Sequence, residues 1–216
     1  MNPADVTSAA ALREGLRSEA AATPKGSARA LAILEETLAV IAEQGHRALT
    51  LDEVAGRVGI ARGNLQYYFP TRDDLLRAAF AEQIARHKCA WRAVAEAPAP
   101  DARTRLERLI AFEIAANRNS SLVAQVRERW SLARDDAAML RLGNDWYRWV
   151  TVRYARIVAE LRPDIDARSC RQVAMTLYAM LVGAAPYHCD GGALPEFAAG
   201  LDERLTAAAF GIVAAA

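Results

Sequence analysis

Apolar residues recur at every third or fourth position along most of this chain. Leu31, Leu34, Leu38 and Ile41 open the pattern as one apolar stripe, on a helix that starts at Ser27 and ends at Gly45. Thr50 starts the next helix. Thr50 and Glu53 fit a capping box, in which the threonine oxygen takes the amide of the third helical residue and the glutamate reaches back. Leu51, Val54, Ala55 and Val58 give this short helix its apolar face, and Gly59 breaks it. A third helix is predicted from Ala61 to Tyr68, ended by Pro70, because the residue before a proline avoids helix. Thr71 and Asp74 cap a fourth, longer helix reaching to about Val94. The stretch Ala97-Pro98-Ala99-Pro100-Asp101 reads as a linker. Beyond it, helices are predicted near 101–118, 120–133, 136–161, 166–187 and 196–213, with breaks at Pro163 and Gly191-Gly192. No segment alternates with period two, no unit repeats at a fixed period, and no heptads run on. The expectation is an all-α chain: a mobile arm over 1–23, rich in Ala, Ser and Thr; a small helical domain over 24–72; a connecting helix over 73–96; and a helical bundle over 97–216.

Residues 51–68 have the proportions of a helix-turn-helix, whose second helix lies in the major groove of DNA. At 100° per residue, Ala61, Leu65 and Tyr68 share one face of that second helix, suited to packing on the first two helices. Arg62, Gly63, Gln66 and Tyr67 fall on the opposite face, with Asn64 on the flank. A cation, a bare backbone, an amide and a phenol are what a DNA groove asks for. Arginine forks onto guanine O6 and N7, and an amide pairs with adenine N6 and N7. Gly63 lets backbone approach closely. Tyr67 can meet a phosphate or a thymine methyl, and Thr50 and Thr71 begin helices whose N-termini suit phosphate oxygens. Residues 46–72 carry four arginines (47, 57, 62, 72) against Asp52 and Glu53, a net +2 that is only modestly basic. The spacing alone also fits a plain amphipathic helical hairpin with its tyrosines packed on a neighbour.

The stretch TLDEVAGRVGIARGNLQYYFPTRDDLL, from Thr50 to Leu76, resembles the DNA-binding domain of the TetR family of bacterial transcriptional regulators. The family's pattern is a threonine-led short helix, a glycine before the turn, and a recognition helix with glycine and leucine. An aromatic pair, phenylalanine, proline, a basic residue and acidic-leucine pairs follow. Here these are Thr50, Gly59, Gly63, Leu65, Tyr67-Tyr68-Phe69, Pro70, Arg72 and Asp73-Asp74-Leu75-Leu76. The match fixes residue types in order over about 27 positions and departs twice. Gln66 stands where the family often has tyrosine, which suggests a different base preference, and Tyr68 stands where histidine is frequent. The resemblance implies base contacts from Arg62, Gly63, Asn64 and Gln66, and phosphate contacts from Thr50, Tyr67, Tyr68 and Arg72. It leaves open whether Tyr68 reaches phosphate or packs inward. For the remainder it implies a ligand-binding and dimerisation domain, a homodimer through the last two helices, a double-stranded operator and a small-molecule effector. WSLARDDAAM, led by Trp130, is similar to the branch that includes choline-responsive repressors, but does not itself imply choline.

Composition changes this picture little. The 216 residues are 53% hydrophobic and 25% charged, with a net charge of +1, which suits one or two compact domains and points to no partner by bulk charge. The first residues show no secretory signal, and no stretch approaches the ~18 apolar residues of a membrane span. Cys89, Cys170 and Cys189 are read as reduced thiols of a cytoplasmic protein. His87 with Cys89, and His188 with Cys189, do not supply four convergent ligands, so no metal is expected, nor any other cofactor. In the C-terminal half, Glu113, Asn117, Trp130, Trp146, Trp149, Arg153, Tyr178 and His188 are the candidate ligand-pocket residues. Trp146, Trp149, Val150, Arg153 and Ile157 form a helical stripe that serves a core or a subunit interface equally well. So do Val173, Ala174, Leu177, Leu181, Ala184 and Ala185, with Leu201, Leu205, Ala208 and Ile212. A helical enzyme using Glu113, His188 or Cys189 finds no nucleophile motif, phosphate loop or metal signature, and no catalytic residue is expected. A protein-interaction adaptor working through the tyrosine face is the other alternative.

Overall fold

The computed structural model describes residues 23–189 and 192–216, so the arm expected over 1–23 lies, apart from Thr23, outside the described residues. The described residues are helical throughout, without a strand, as the periodicity predicts. The helices are α1 (Pro24–Gln44), α2 (Leu51–Val58), α3 (Arg62–Tyr68), α4 (Arg72–Glu96), α5 (Ala102–Arg118), α6 (Ser120–Ala133), α7 (Ala137–Leu161), α8 (Ala167–Gly183), α9 (Ala185–His188) and α10 (Leu201–Ala214). A 3-10 turn spans Pro195–Phe197.

Three boundaries differ from the sequence reading, each for a local reason. The first helix begins at Pro24 rather than Ser27: Thr23 is the N-cap, its hydroxyl oxygen accepting from the Gly26 N–H at 3.0 Å. Proline at the first helical position loses nothing, since its missing N–H has no partner there anyway. The helix expected over 166–187 stops at Gly183, and α9 is a separate short turn. Pro186 has no N–H to continue the ladder and its ring crowds the carbonyl four residues back. The last helix starts at Leu201, after Gly200 at φ 77°, and the 3-10 turn takes up the residues ahead of it.

The chain forms two compact units. The first takes the described residues up to Ala90 together with Ala124–Gly143; the second takes Trp91–Val123 and Asn144–Ala216. Thus α4, α6 and α7 each contribute residues to both. In the first unit α2 packs on α1 and α3 on α2. Its core is built from Ile33, Leu34, Leu38 and Ile41 of α1, Leu51 and Val54 of α2, Leu65 and Phe69 at α3, and Leu75, Leu76 and Phe80 of α4. Ala133 and Met139, from the segment 124–143, join the same core. Gln125 donates to the Leu38 carbonyl at 3.1 Å and accepts from Gln83 at 2.9 Å, tying that segment to α1 and α4.

The second unit is organised around α5, on which α8, α9 and α10 pack, with α10 also against α8. Leu106, Leu109 and Ile110 of α5, Val150, Tyr154 and Val158 of α7, and Ala174, Leu177 and Leu181 of α8 are fully buried. The C-terminal end of α10 is held by Arg162. Its Nη1 donates to the Val213 and Ala214 carbonyls at 2.8 and 3.0 Å, and Nη2 to that of Ala216. Its Nε and Nη2 also fork onto both oxygens of Asp164 at 2.8 Å. A cation placed on a helix's last carbonyls satisfies orphaned acceptors and opposes the helix dipole.

Candidate nucleic-acid interface

The first helix of the motif, α2, begins as its sequence demands. Thr50 is extended, and its hydroxyl oxygen accepts from the Glu53 N–H at 3.2 Å. The reciprocal half of the expected capping box does not form. Glu53 instead accepts from Gln44 Nε2 at 2.7 Å and Arg57 Nη2 at 3.1 Å, because a guanidinium is a stronger partner for a carboxylate than a neutral amide. The complete box is at the start of α4. There the Thr71 N–H donates to the Asp74 carboxylate at 3.2 Å and the Asp74 N–H to the Thr71 hydroxyl oxygen at 3.1 Å.

Between α2 and α3 the chain turns through Gly59, at φ 70° and ψ 39°. The Gly59 N–H reaches the Gly56 carbonyl at 3.1 Å and the Ile60 N–H the Ala55 carbonyl at 2.9 Å. This is the Schellman ending, and its left-handed residue favours glycine. Helix α3 then has only two turns. Leu65 is its one buried residue, with no exposed surface, and Phe69, at its C-cap, is buried too.

The faces of α3 divide nearly as the helical wheel predicts. Arg62, Gly63, Asn64, Gln66 and Tyr67 are exposed, Tyr67 at 60% of its surface. Tyr68 is half-buried against the core and meets Tyr67 edge-on, ring centroids 5.6 Å apart. Ala61 departs from the wheel and is exposed: as the extended N-cap at ψ 146° it is not yet on the helix, so the 100° step does not reach it.

Of the four arginines over residues 46–72, three have partners within the protein. Arg57 is tied to Glu43 at 2.8 Å and to Glu53, and this pairing holds the Glu43 carboxyl below its ordinary pKa. Arg72 crosses to the turn ahead of α2, with Nε donating to the Leu49 carbonyl at 2.9 Å and Nη2 to that of His46. Its Nη1 lies 3.6 Å from Asp73. Arg62 sits at the start of α3 with Nη1 on Asp52 Oδ2 at 2.7 Å, both side chains more than half exposed. Arg47 is exposed and, with His46, Asp73, Arg77, Ser131 and Asp136, lines an open cleft of about 480 Å³ in the first unit. The sequence gives no sign of that cleft, because its walls come from segments some 85 residues apart. His46 closes the turn on Glu128, which accepts from its backbone N–H at 2.8 Å and contacts its Nδ1.

Of the candidate ligand-pocket residues, Trp130 belongs to the first unit and is 47% exposed, whereas the other seven belong to the second. Among those, Trp146 stacks on Trp149 at 5.5 Å, and its Nε1–H donates to the Tyr178 hydroxyl at 3.0 Å. Trp91 and Tyr154, which the sequence reading did not single out, complete the aromatic cluster. Trp91 meets Trp149 at 5.3 Å and Tyr154 at 5.6 Å. Helical spacing places Tyr154 on the flank of the 146–157 stripe, and Trp91 sits at the far end of α4, so neither carried a local signal. Arg153 lies over the Trp149 ring, 3.8 Å from its centroid, with Arg92 at 5.4 Å from the same ring. Burial and the neighbouring Arg92 and Arg156 charges lower the Arg153 pKa. Burial raises the Tyr154 hydroxyl well above its ordinary range, and the nearby Glu113 adds to this. Glu113 is buried. Asn117 is spoken for, donating to the Leu181 carbonyl at 2.8 Å, and His188 faces Asp202 at 3.0 Å. Among the described residues no group of three or more His, Cys, Asp or Glu side chains could hold a metal ion. No helix of the described chain is long and apolar enough to cross a membrane.

Comparison with known proteins places this geometry. No curated protein matches the sequence. Residues 33–79, which hold α2 and α3 and the ends of their neighbours, match the model for bacterial regulatory proteins of the tetR family. Over nearly the whole chain the structure resembles solved regulators. One is a transcriptional regulator from Saccharomonospora viridis in complex with choline, 21% identical, covering 84% of this chain and 95% of that one, with a TM-score of 0.73. Another is a TetR transcription regulator from Haloarcula marismortui, 20% identical, covering 88% and 98%, also at 0.73. A third is a ketosteroid transcriptional regulator of Mycobacterium tuberculosis, 20% identical, covering 85% and 93%, at 0.60. At such identities the likeness is one of fold. Residues 33–79 therefore resemble the tetR-family DNA-binding segment, and the chain as a whole shares the fold of these solved regulators.

Proposed function

We propose that the protein is a ligand-responsive repressor that binds a palindromic double-stranded operator as a homodimer and is released by a small molecule. The observation that carries the reading is the split of α3. Leu65 anchors the helix, and Arg62, Gly63, Asn64, Gln66 and Tyr67 are left exposed in a row. Arg62 and Gln66 read base edges, Gly63 and Asn64 lie against them, and Thr50, Tyr67 and the Tyr68 hydroxyl meet phosphates. Arg72 supports this face through the turn it holds, with Nε and one N–H of Nη2 already spent on that turn.

Two reading heads about one helical turn apart, ~34 Å, require a two-fold dimer. Of the residues the sequence offered for it, Val173, Ala174, Leu177, Leu181 and Leu205 are buried within the single chain. The dimer face we propose is therefore the other side of the same helices: Met175 and Ala179 of α8 with Ala207, Ala208 and Gly211 of α10. All are exposed, and small enough on α10 for close approach. The effector site we propose is the second unit's aromatic cluster with Glu113. Helix α4 gives this a route to DNA: its end supplies Trp91 to the cluster, and its first residue is Arg72. A ligand shifts binding only by preferring the DNA-incompetent state.

The test is selection of bound sequences from a randomised duplex library by the full-length protein, then release of the selected duplex by small molecules, choline among them. A palindromic motif lost at one position per half-site in Arg62→Ala supports the reading. Binding that never distinguishes one duplex from another refutes it.

A further inference from the structure

We infer that Asp52 is a specificity-determining residue that aims Arg62 at its base; this rests on the DNA-reading function proposed above. Arg62 is the first residue of α3, a poor place for a cation, since a helix N-terminus carries partial positive charge. Asp52 lies in the first turn of α2, ten residues earlier, and takes only Nη1 of the guanidinium, through one carboxylate oxygen at 2.7 Å. A monodentate hold of that kind leaves the Nε–Nη2 edge as a fork, and that is the edge geometry that pairs with guanine O6 and N7. The second acid of the same turn, Glu53, is turned away to Gln44 and Arg57, so the two acids have separate tasks. Asp52 also brings a negative charge to a face that must approach phosphates. It thereby lowers affinity for any duplex while narrowing the orientations in which Arg62 can bind. Arg62 without Asp52 is a long, mobile cation able to settle on a phosphate.

The experiment uses full-length wild type, Asp52→Asn, Arg62→Ala and the double variant, each selecting from one randomised duplex library and each checked by thermal unfolding. Asparagine keeps the shape and removes the charge. Asp52→Asn is expected to weaken the guanine preference about two- to fivefold, at the same position that Arg62→Ala abolishes. Other positions keep their preference, and affinity for random duplex rises about twofold at low salt. The double variant is expected to match Arg62→Ala. An unchanged preference in Asp52→Asn overturns the inference, as does a loss spread evenly over every position. If wild type selects a motif that Arg62→Ala leaves intact, the assignment of Arg62 fails and this inference with it. If wild type selects no motif at all, the DNA-reading function itself fails.

Discussion

Removing the Arg72 side chain should cost this protein stability before it costs it DNA. Its guanidinium donates to the carbonyls of His46 and Leu49, pinning the turn between α1 and α2 from the first residue of α4. A hydrogen bond from a charged donor contributes roughly 1.5–3 kcal/mol. Arg72 is partly exposed, so water takes over some of what Arg72→Ala leaves behind, and the lower end applies to each bond. Together the two amount to about 3 kcal/mol, or roughly 6–12 °C in melting temperature for a chain of this size. Arg72→Lys separates charge from shape. Lysine keeps the cation but lacks the planar fork that reaches two carbonyls at once. The assay is thermal unfolding of wild type, Arg72→Ala and Arg72→Lys without DNA, beside the salt dependence of binding to a random duplex. Both variants should melt lower, with lysine recovering less than half of the loss. The reasoning is refuted if both melt within about 1 °C of wild type while Arg72→Ala loses about one unit of salt slope. Arg72 would then be a phosphate contact and the turn would hold without it.

Leu65→Ala removes the only buried side chain of α3 and should cost about 2–5 kcal/mol by thermal or urea unfolding, with DNA binding lost alongside. Gly59→Ala meets no atom within 4 Å, so any cost is backbone strain at φ 70°: about 1–2 kcal/mol by urea unfolding, less for Gly59→Asn. The Arg162 guanidinium bonded to Asp164 lowers that carboxyl to about 2, below an unfolded value near 3.8. A depressed carboxyl contributes stability that is full above the unfolded value and lost as pH falls through the folded one. The difference in melting temperature between wild type and Asp164→Asn should therefore be constant from neutral pH to about pH 5 and shrink as pH falls from there through about 2.

The helices were legible because most are amphipathic and their ends carry local chemistry. Thr50, Gly59, Pro70 and the Thr71–Asp74 pair each act within four residues of themselves, which is the range a sequence displays directly. Errors arose where a local rule met a competitor from elsewhere in the fold. Glu53 satisfies the capping-box spacing, yet its carboxylate is drawn to Gln44 of α1 and to Arg57. Ala61 satisfies the wheel, yet the wheel applies only once the backbone has entered the helix. In the last hundred residues, stripes such as Val173 to Leu181 were equally good for a core or a dimer. Periodicity finds an apolar face without saying what covers it.

The exposed face of α3 was readable for a further reason. A helix of seven residues with one anchor has little freedom in what it exposes, so placing Leu65 inward places Arg62, Gln66 and Tyr67 outward. What the chain could not display was how its charges pair. Four arginines counted as a basic footprint, but Arg57 and Arg72 are held within the domain, and Arg62 is held by an acid ten residues away. A net charge of +2 is therefore a poor guide to how many cations meet DNA. If α3 reads DNA as proposed, Asp52 keeps Nη1 while the other edge of Arg62 meets the base. An exposed pair contributes at most about 1 kcal/mol and a good bidentate base contact about 1–3, so the acid's hold does not outweigh the base contact it orients. On this reasoning, the arginine supplies the selectivity at α3 and the acid that holds it sharpens that selectivity.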